Sequence, residues 1–127
     1  MKDFFISLLV VTILAGAWLF FDSYSKEEVN SMADNIENTI IPYVKAEDWS
    51  DSIVLMDRAE SRWNSYKKIA TLFLEADKIY EIDSQLARAV EYAEAADVSN
   101  TTGELKSLAG QLRLLHSREK ITTGNIL

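Results

Sequence analysis

The sequence contains no cysteine, one proline, four glycines and one histidine. The lack of cysteine excludes disulfides, thiolate catalysis and cysteine-ligated metal sites, and leaves the redox compartment undetermined. So few glycines and prolines argue against a turn-rich β protein and favour long helices joined by short loops. With no second histidine, His116 cannot build an HExxH motif, and we interpret it as a charge that stabilises the end of the last helix.

Basic residues are also scarce, since 13 lysines and arginines stand against 20 acidic residues. The net charge of −7 opposes binding to nucleic acid, which is therefore not an expected partner. Glu91 and Glu94, like Asp77 and Glu81, share a helical face, where they could hold a divalent cation weakly. A solvated acidic face explains these pairs better.

Against these absences stands one long apolar run, Phe4–Phe21, with the sequence FFISLLVVTILAGAWLFF. It has no charge, and only Ser7 and Thr12 carry hydroxyl groups, which a helix can bond back to its own carbonyls. At about 1.5 Å per residue the run spans roughly 27 Å, close to the hydrocarbon thickness of a bilayer. Because it is apolar on all sides, we predict a transmembrane anchor with the bilayer as its partner.

The charges beside this anchor segment set its expected orientation. The amino terminus and Lys2 precede it, whereas Asp22 follows it and the next basic residue, Lys26, is followed by two glutamates. The positive-inside rule then predicts a cell-membrane protein with a cytoplasmic N-terminus and its domain outside. The alternative is a secreted protein, because Ala15-Gly16-Ala17 has the small-x-small form of a signal-peptidase site, with cleavage near Ala17.

Helical periodicity continues beyond the anchor segment. Ser25-Lys26-Glu27-Glu28 has the spacing of a capping box and predicts a helix start at Ser25; an anchor helix that continues unbroken is the alternative. Pro42 should kink the last turn of this helix or end it near Ile41. The predicted apolar stripe consists of Val29, Met32, Ile36, Ile40 and Tyr43.

A second helix is predicted from Trp49, capped by Asp48 or Ser50, with an apolar seam of heptad type. We assign its aromatic rings to a bundle core rather than to a ligand-stacking wall, because aromatic side chains bury the most area. Its basic residues are expected to form ion pairs within the helix, beside Glu60. The seam consists of Trp49, Ile53, Met56, Ala59, Trp63, Tyr66, Ala70 and Phe73, and the basic residues are Arg58, Arg62, Lys67 and Lys68.

A third helix is predicted after Asp77, although Asp83 or Ser84 could instead begin a separate helix. Its stripe changes from large residues to alanines, which should let a neighbouring helix approach closely. The stripe consists of Ile79, Ile82, Leu86, Ala89, Val90, Ala93 and Ala96.

The segment Val98–Gly103 is interpreted as a loop with a hydroxyl cap for a fourth helix. The tail should either dock through its last residues, Ile126 and Leu127, or fray. The stripe of the fourth helix consists of Leu105, Leu108, Leu112 and Leu115.

Four amphipathic helices with short connections predict an all-α fold, in which an N-terminal transmembrane helix precedes an antiparallel four-helix bundle. Two stacked helical hairpins are the alternative. We divide the chain into a membrane anchor at residues 1–24, a bundle domain at 25–116 and a C-terminal tail at 117–127.

The order of motifs resembles a known family. After the membrane segment come the acidic EDW at Glu47–Trp49, RWNSYKK around Trp63, IDSQLARAVEYAEAAD at Ile82–Asp97 and the closing Asn125-Ile126-Leu127. These resemble small single-pass membrane proteins of spore-forming Gram-positive bacteria that share domain of unknown function 4363. The resemblance implies an extracytoplasmic helical domain on an anchor, with no assigned activity, substrate or cofactor. Family members often have a histidine where this chain has Glu75–Asp77, so no site around it carries over.

No nucleophile, ligand set or phosphate loop converges in the sequence, so we expect no enzyme, no catalytic residue, no cofactor and no metal site. The expected function is that of a membrane-anchored domain acting as an interaction or structural partner of a membrane or envelope protein. The alternative is an extracytoplasmic ligand-binding or sensor module. Such a module would need another protein for its output, because only Met1–Asp3 precede the anchor segment.

Overall fold

The computed structural model describes the backbone of residues 1–126 and the side chains of residues 1–115. Residues 2–45 form one continuous helical rod, the N-terminal rod. It contains α1 (Lys2–Asn35), a π-helical turn (Ile36–Ile40) and α2 (Ile41–Lys45), and is followed by α3 (Trp49–Ala70), α4 (Ala76–Glu94) and α5 (Val98–Ile126). No strand occurs in this part of the chain, which confirms the predicted all-α fold.

The bundle is a ring in which the second half of the rod contacts α3 and α5, and α4 closes the ring between them. The rod and α3 are antiparallel, because Ser25 contacts Tyr66 and Glu28 contacts Arg62. Helices α4 and α5 are antiparallel as well, since Gln85 contacts Glu104 while Ile82 lies beside Gln111. The predicted stripes supply most of the core. Its buried members include Val29, Met32, Ile36, Ile40, Met56, Trp63, Tyr66, Ile79, Ile82, Leu86, Leu105, Leu108, Leu112 and Leu115.

The rod does not begin anew at Ser25. The serine lies inside α1, is buried, and its Oγ lies 2.6 Å from the Tyr66 hydroxyl of α3. The predicted helix start is therefore wrong and the continuous helix is correct. The Ser25 hydroxyl is buried and bonds to another helix; it does not cap a helix start. Packing of the rod into the bundle already starts at Phe21, which is 1% exposed.

Pro42 widens the rod instead of ending it. In the π-helical turn the amide of Ile41 donates to the carbonyl of Ile36, five residues earlier, and the helix continues to Lys45. The extra residue in this turn rotates everything that follows it. Val44 is consequently buried, while Tyr43, which the sequence assigned to the core, is 41% exposed. The predicted end near Ile41 and the core position of Tyr43 are both wrong.

The loop between α2 and α3 and the loop between α4 and α5 end the preceding helix in the same way. Glu47 and Ala96 adopt positive φ angles of 58° and 56°. The amide after each of them returns to a carbonyl of the preceding helix, from Asp48 to Tyr43 and from Asp97 to Tyr92, each at 3.0 Å. This is the Schellman ending, in which a residue other than glycine is strained.

The aspartate after each strained residue caps the next helix. Asp48 accepts from the amide of Asp51 at 3.2 Å, and Asp97 accepts from the amide of Asn100 at 3.0 Å. Helix α5 thus begins at Val98, and the predicted loop over Val98–Gly103 with a hydroxyl cap is wrong. The cap prediction for Asp48 is confirmed.

The other helix boundaries agree with expectation only in part. Helix α3 ends at Ala70, so Phe73 lies in the α3–α4 loop, and Ala96 lies beyond α4 on the surface. Helix α4 runs unbroken past Asp83, which confirms one helix here, and the alternative of a separate helix from Asp83 or Ser84 is wrong. Helix α5 continues to Ile126, so the prediction that His116 lies at the end of this helix is wrong. Docking of Ile126 and Leu127 concerns side chains outside the described residues.

Candidate interaction surface

Residues 4–20 of the rod are exposed throughout. Thr12 donates its hydroxyl to the carbonyl of Leu8 at 2.8 Å, which satisfies one polar group of the anchor segment within the helix. This is the one helix among the described residues that is long and apolar enough to cross a membrane. The side chains of residues 4–20 contribute almost nothing to the bundle core, in contrast to the rest of the rod.

Where the rod enters the bundle, five rings form a cluster that we call the aromatic junction. Phe21 stacks on Phe73 of the α3–α4 loop with ring centres 4.3 Å apart, and Trp18 lies 5.8 Å from the same ring. Tyr66 of α3 lies 6.3 Å from Phe21 and 6.0 Å from Tyr24. Aromatic pairs at such separations add to the stability that burial supplies. The junction therefore connects the end of the exposed segment to the bundle through side-chain contacts as well as through the helix backbone.

The hydrogen bond between Ser25 and Tyr66 completes this junction. Both residues are buried, and their oxygens lie 2.6 Å apart. A buried hydroxyl that loses its partner is costly, so the bond specifies how α1 and α3 align. The rings of Trp63 and Tyr66 are core residues, as the sequence predicted, and do not form an open stacking wall.

Helix α3 is tied to both of its neighbours by polar contacts. Arg62 donates through Nε to Glu28 of α1 at 2.6 Å and through Nη2 to Ser31 at 2.8 Å. Lys67 pairs with Asp83 of α4 at 3.2 Å. The prediction that Arg62 and Lys67 pair within their own helix is therefore wrong. Sequence spacing shows which charges share a helix face, but not which helix packs against that face.

The same carboxylate of α4 accepts a second bond from the core. Trp63 donates its indole Nε1–H to Oδ1 of Asp83 at 2.6 Å. A buried indole N–H requires such a partner, and a carboxyl oxygen is a suitable acceptor. Asp83 is thus a positioning residue for α3, a role that the sequence analysis missed.

Beside this contact an open groove runs between α3 and α4. Its volume is about 380 Å³, larger than the internal cavities described below. Its lining is mixed, with apolar side chains of α3 and α4, two glutamates and the paired Lys67 and Asp83. The residues that define this α3–α4 groove are Glu60, Trp63, Lys67, Asp83, Val90 and Glu91. A groove of this shape and polarity can accept a side chain or a helix edge from another protein.

Helix α5 is tied to the rod at the π-helical turn. Arg113 donates to Glu37 and, through Nη2, to Asp34 at 2.8 Å. Its hydrogen bonds, first to Glu37 and then to Asp34, raise the pKa of the Arg113 guanidinium above its ordinary value. The sequence analysis did not single out Arg113, because its partners are distant in the chain and become neighbours only through folding.

Two further cavities among residues 1–115 are small. An apolar cavity between the helices, bordered by Trp63, Leu86 and Leu112, measures about 20 Å³, and another beside Lys78 and Gln111 measures about 30 Å³. Each can hold about one water molecule. The sensor alternative predicts an interhelical cavity with inward polar groups; neither of these two cavities is of that size, and the alternative stays a prediction.

The acidic residues considered for cation binding lie on the surface. Glu91 and Glu94 are exposed on α4, as are Asp77 and Glu81. Within the described part of the chain no group of three histidine, cysteine, aspartate or glutamate side chains is placed to hold a metal ion.

Two carboxyl groups, Asp51 at the start of α3 and Asp97 before α5, have shifted pKa values. The hydrogen bond from the Asn100 amide lowers the pKa of Asp97. The hydrogen bond with the Asp48 carboxyl group raises the pKa of Asp51, and the charge of Asp48 adds to it. Both shifts follow from helix capping, so they give no reason to place a catalytic group here.

A family model described as a domain of unknown function, DUF4363, matches residues 19–126. The match begins at the aromatic junction and includes the whole bundle. Neither the curated proteins nor the solved structures contain a match to this chain. Since the model covers most of the sequence, the chain belongs to the DUF4363 family.

Proposed function

We propose that the protein is a non-catalytic, membrane-anchored helical domain that serves as an interaction partner of another membrane or envelope protein. The observation that supports this most directly is the continuity of the rod, because one helix carries both the exposed apolar segment and a full face of the bundle core. A domain attached in this way cannot swing on a flexible linker. It holds its surface at a fixed height and orientation over the bilayer.

The α3–α4 groove is the proposed contact surface for the partner. It combines apolar and polar side chains, as protein interfaces commonly do. Glu60 and Glu91 on the rim favour a partner surface with basic residues. The remaining acidic surface of the domain keeps it away from nucleic acid and anionic headgroups.

The proposed topology has the N-terminus in the cytoplasm and the bundle outside, in line with the charges that flank the anchor segment. The chain has no cysteine, so a single thiol introduced at Ser50 reports on topology. We expect it to react with a membrane-impermeant reagent in intact cells. Labelling only after lysis would reverse the orientation. A mature mass that lacks residues 1–17 would identify a secreted protein instead.

Site-specific photo-crosslinking tests the partner surface. A photoreactive residue at Ala87, beside the groove, should give one discrete adduct in native membranes, and Val90→Asp should abolish this adduct. The same residue at Lys106, exposed on α5, is the matched control and should give none. Equal adducts at both positions, or none at Ala87, would contradict the groove as the contact surface.

A further inference from the structure

The α3–α4 loop, Thr71–Glu75, exposes an apolar side chain that the bundle does not use. Leu72 is 78% exposed, while its neighbours Phe73 and Leu74 pack inward. Tyr80, early in α4, is 71% exposed, and Ile69 in the last turn of α3 is partly exposed as well. Leu72 and Tyr80 are more exposed than any other large apolar side chain between residues 21 and 115, so this end of the bundle is the candidate for a contact with another apolar phase.

The depth of this loop relative to the anchor segment follows from the aromatic junction. Crossing the hydrocarbon layer takes the whole run from Phe4 to Phe21, roughly 27 Å, so Trp18 and Phe21 lie at its interfacial end. Phe73 contacts both of these rings, at 5.8 Å and 4.3 Å. The loop that carries Phe73 must therefore lie at the same depth as the end of the anchor segment.

We propose that the α3–α4 loop is a second membrane contact, in which Leu72 inserts into the interfacial layer of the lipid bilayer and seats the base of the bundle on it. This inference rests on the membrane anchoring proposed above. Lys68 is exposed one turn before the loop and can extend its ammonium group to lipid phosphates. Because Glu75 and Asp77 follow the loop, apolar insertion rather than attraction to anionic lipid makes the contact.

Fluorescent labels on single cysteines test this seating in the full-length protein. The protein carries an NBD label at Leu72, at Leu14 within the anchor segment, or at Val54 on α3, and is reconstituted into phosphatidylcholine vesicles that contain doxyl-labelled lipid. Val54 is the matched control, since it is also apolar and exposed but lies toward the other end of α3. Far-UV circular dichroism confirms that each labelled chain remains helical.

We expect doxyl lipid to quench the labels at Leu14 and Leu72 by roughly twofold or more and to leave the label at Val54 unchanged. Quenching at Leu14 without quenching at Leu72 would overturn the loop contact while leaving the anchor intact. No quenching at Leu14 would overturn the anchor, and with it the loop contact. Quenching at all three positions would mean that the bundle lies on its side, which also contradicts the proposed seating.

Discussion

The two halves of the N-terminal rod are continuous in backbone but differ in the surroundings they require. Residues 4–20 are exposed apart from the contact of Trp18 with Phe73, whereas the half from Phe21 onward buries one stripe against α3 and α5 and shows a polar face elsewhere. The second half thus supplies one side of the bundle core, to which the first half adds little. Substitutions in the first half should therefore affect the proposed membrane anchoring, and substitutions in the second half should affect the stability of the fold.

Charges in the first half should have the largest effect. The double substitution Leu9→Asp and Ile13→Asp places two carboxylates near the middle of the anchor segment, at a cost of about 2.5–3.5 kcal/mol each in a bilayer. We expect the protein to move from the membrane fraction to the soluble fraction. Fractionation of cell lysates measures this shift.

The control for location is Tyr43→Asp, which adds a charge to the exposed face of the second half. It should leave the protein in the membrane fraction. If the chain with Leu9→Asp and Ile13→Asp also stayed in the membrane fraction after a salt wash, residues 4–20 would not be what anchors the protein.

Removing the ring of Tyr66 should be the most damaging change in the bundle. Tyr66→Ala deletes a fully buried ring and leaves the Ser25 hydroxyl without its partner, so we expect a loss of about 3–5 kcal/mol in the free energy of unfolding. Denaturant unfolding of the full chain in detergent micelles measures the loss. The location of the protein in the membrane should not change.

A substitution that keeps the ring of Tyr66 distinguishes the contribution of its hydrogen bond from that of the ring. Tyr66→Phe keeps the ring and should cost about 1 kcal/mol, and Ser25→Ala in that background should restore part of the loss, because the unpaired hydroxyl is removed. If the double variant were less stable than Tyr66→Phe alone, the bond would not be the reason for the loss.

Asp83→Asn should loosen α3 from α4. The change weakens the bond to the Trp63 indole and removes the ion pair with Lys67, for a loss of about 1 kcal/mol, since the lysine and aspartate are about a third exposed and screened by solvent. Thermal unfolding followed by tryptophan fluorescence measures it. Glu94→Gln, an exposed carboxylate on the same helix, should be neutral.

Ala96→Gly should stabilise the bundle. The residue has a φ of 56°, which glycine adopts without strain, so we expect a gain of up to about 1 kcal/mol. Ala95→Gly is the matched control, because Ala95 has a negative φ of −83° and gains nothing from glycine. Equal effects of the two substitutions in thermal unfolding would contradict the strain at Ala96.

The smallest expected effect is a contribution to pH dependence from Asp97. Its pKa in the folded state is lowered by the Asn100 amide, so its stabilising contribution is present above the unfolded pKa. The contribution disappears as the pH falls through the lowered pKa. Asp97→Asn should therefore reduce the slope of stability against pH in acid, measured by denaturant unfolding from neutral pH downward.

Periodicity was sufficient to identify the helices and most of the core, because a repeating apolar stripe is a local property of the chain. It placed Val29, Ile40, Leu105 and Leu112 correctly. It was wrong at Tyr43, because a π-helical turn adds a residue that no periodicity rule anticipates. It also misplaced the start of α5, because Asp97, and not one of the hydroxyls that follow it, caps this helix.

The α3–α4 groove and the polar contacts of α3 with its neighbouring helices could not be predicted from periodicity. Arg62 and Lys67 look like partners of acidic residues on their own helix, yet they bond to Glu28 and Asp83. Which pairing forms depends on the rotation of each helix about its axis, and that rotation is set by the packing of large side chains such as Trp63 and Tyr66.

The sequence by itself determined the apolar anchor segment, the all-α class and the acidic surface, since each follows from composition and local spacing. Only the tertiary structure decided that the anchor helix continues into the bundle and that Phe73 lies against Trp18 and Phe21. It also showed that Leu72 is left exposed beside that contact. The reason is physical: local patterns fix which faces are apolar, but long-range packing alone decides which faces meet.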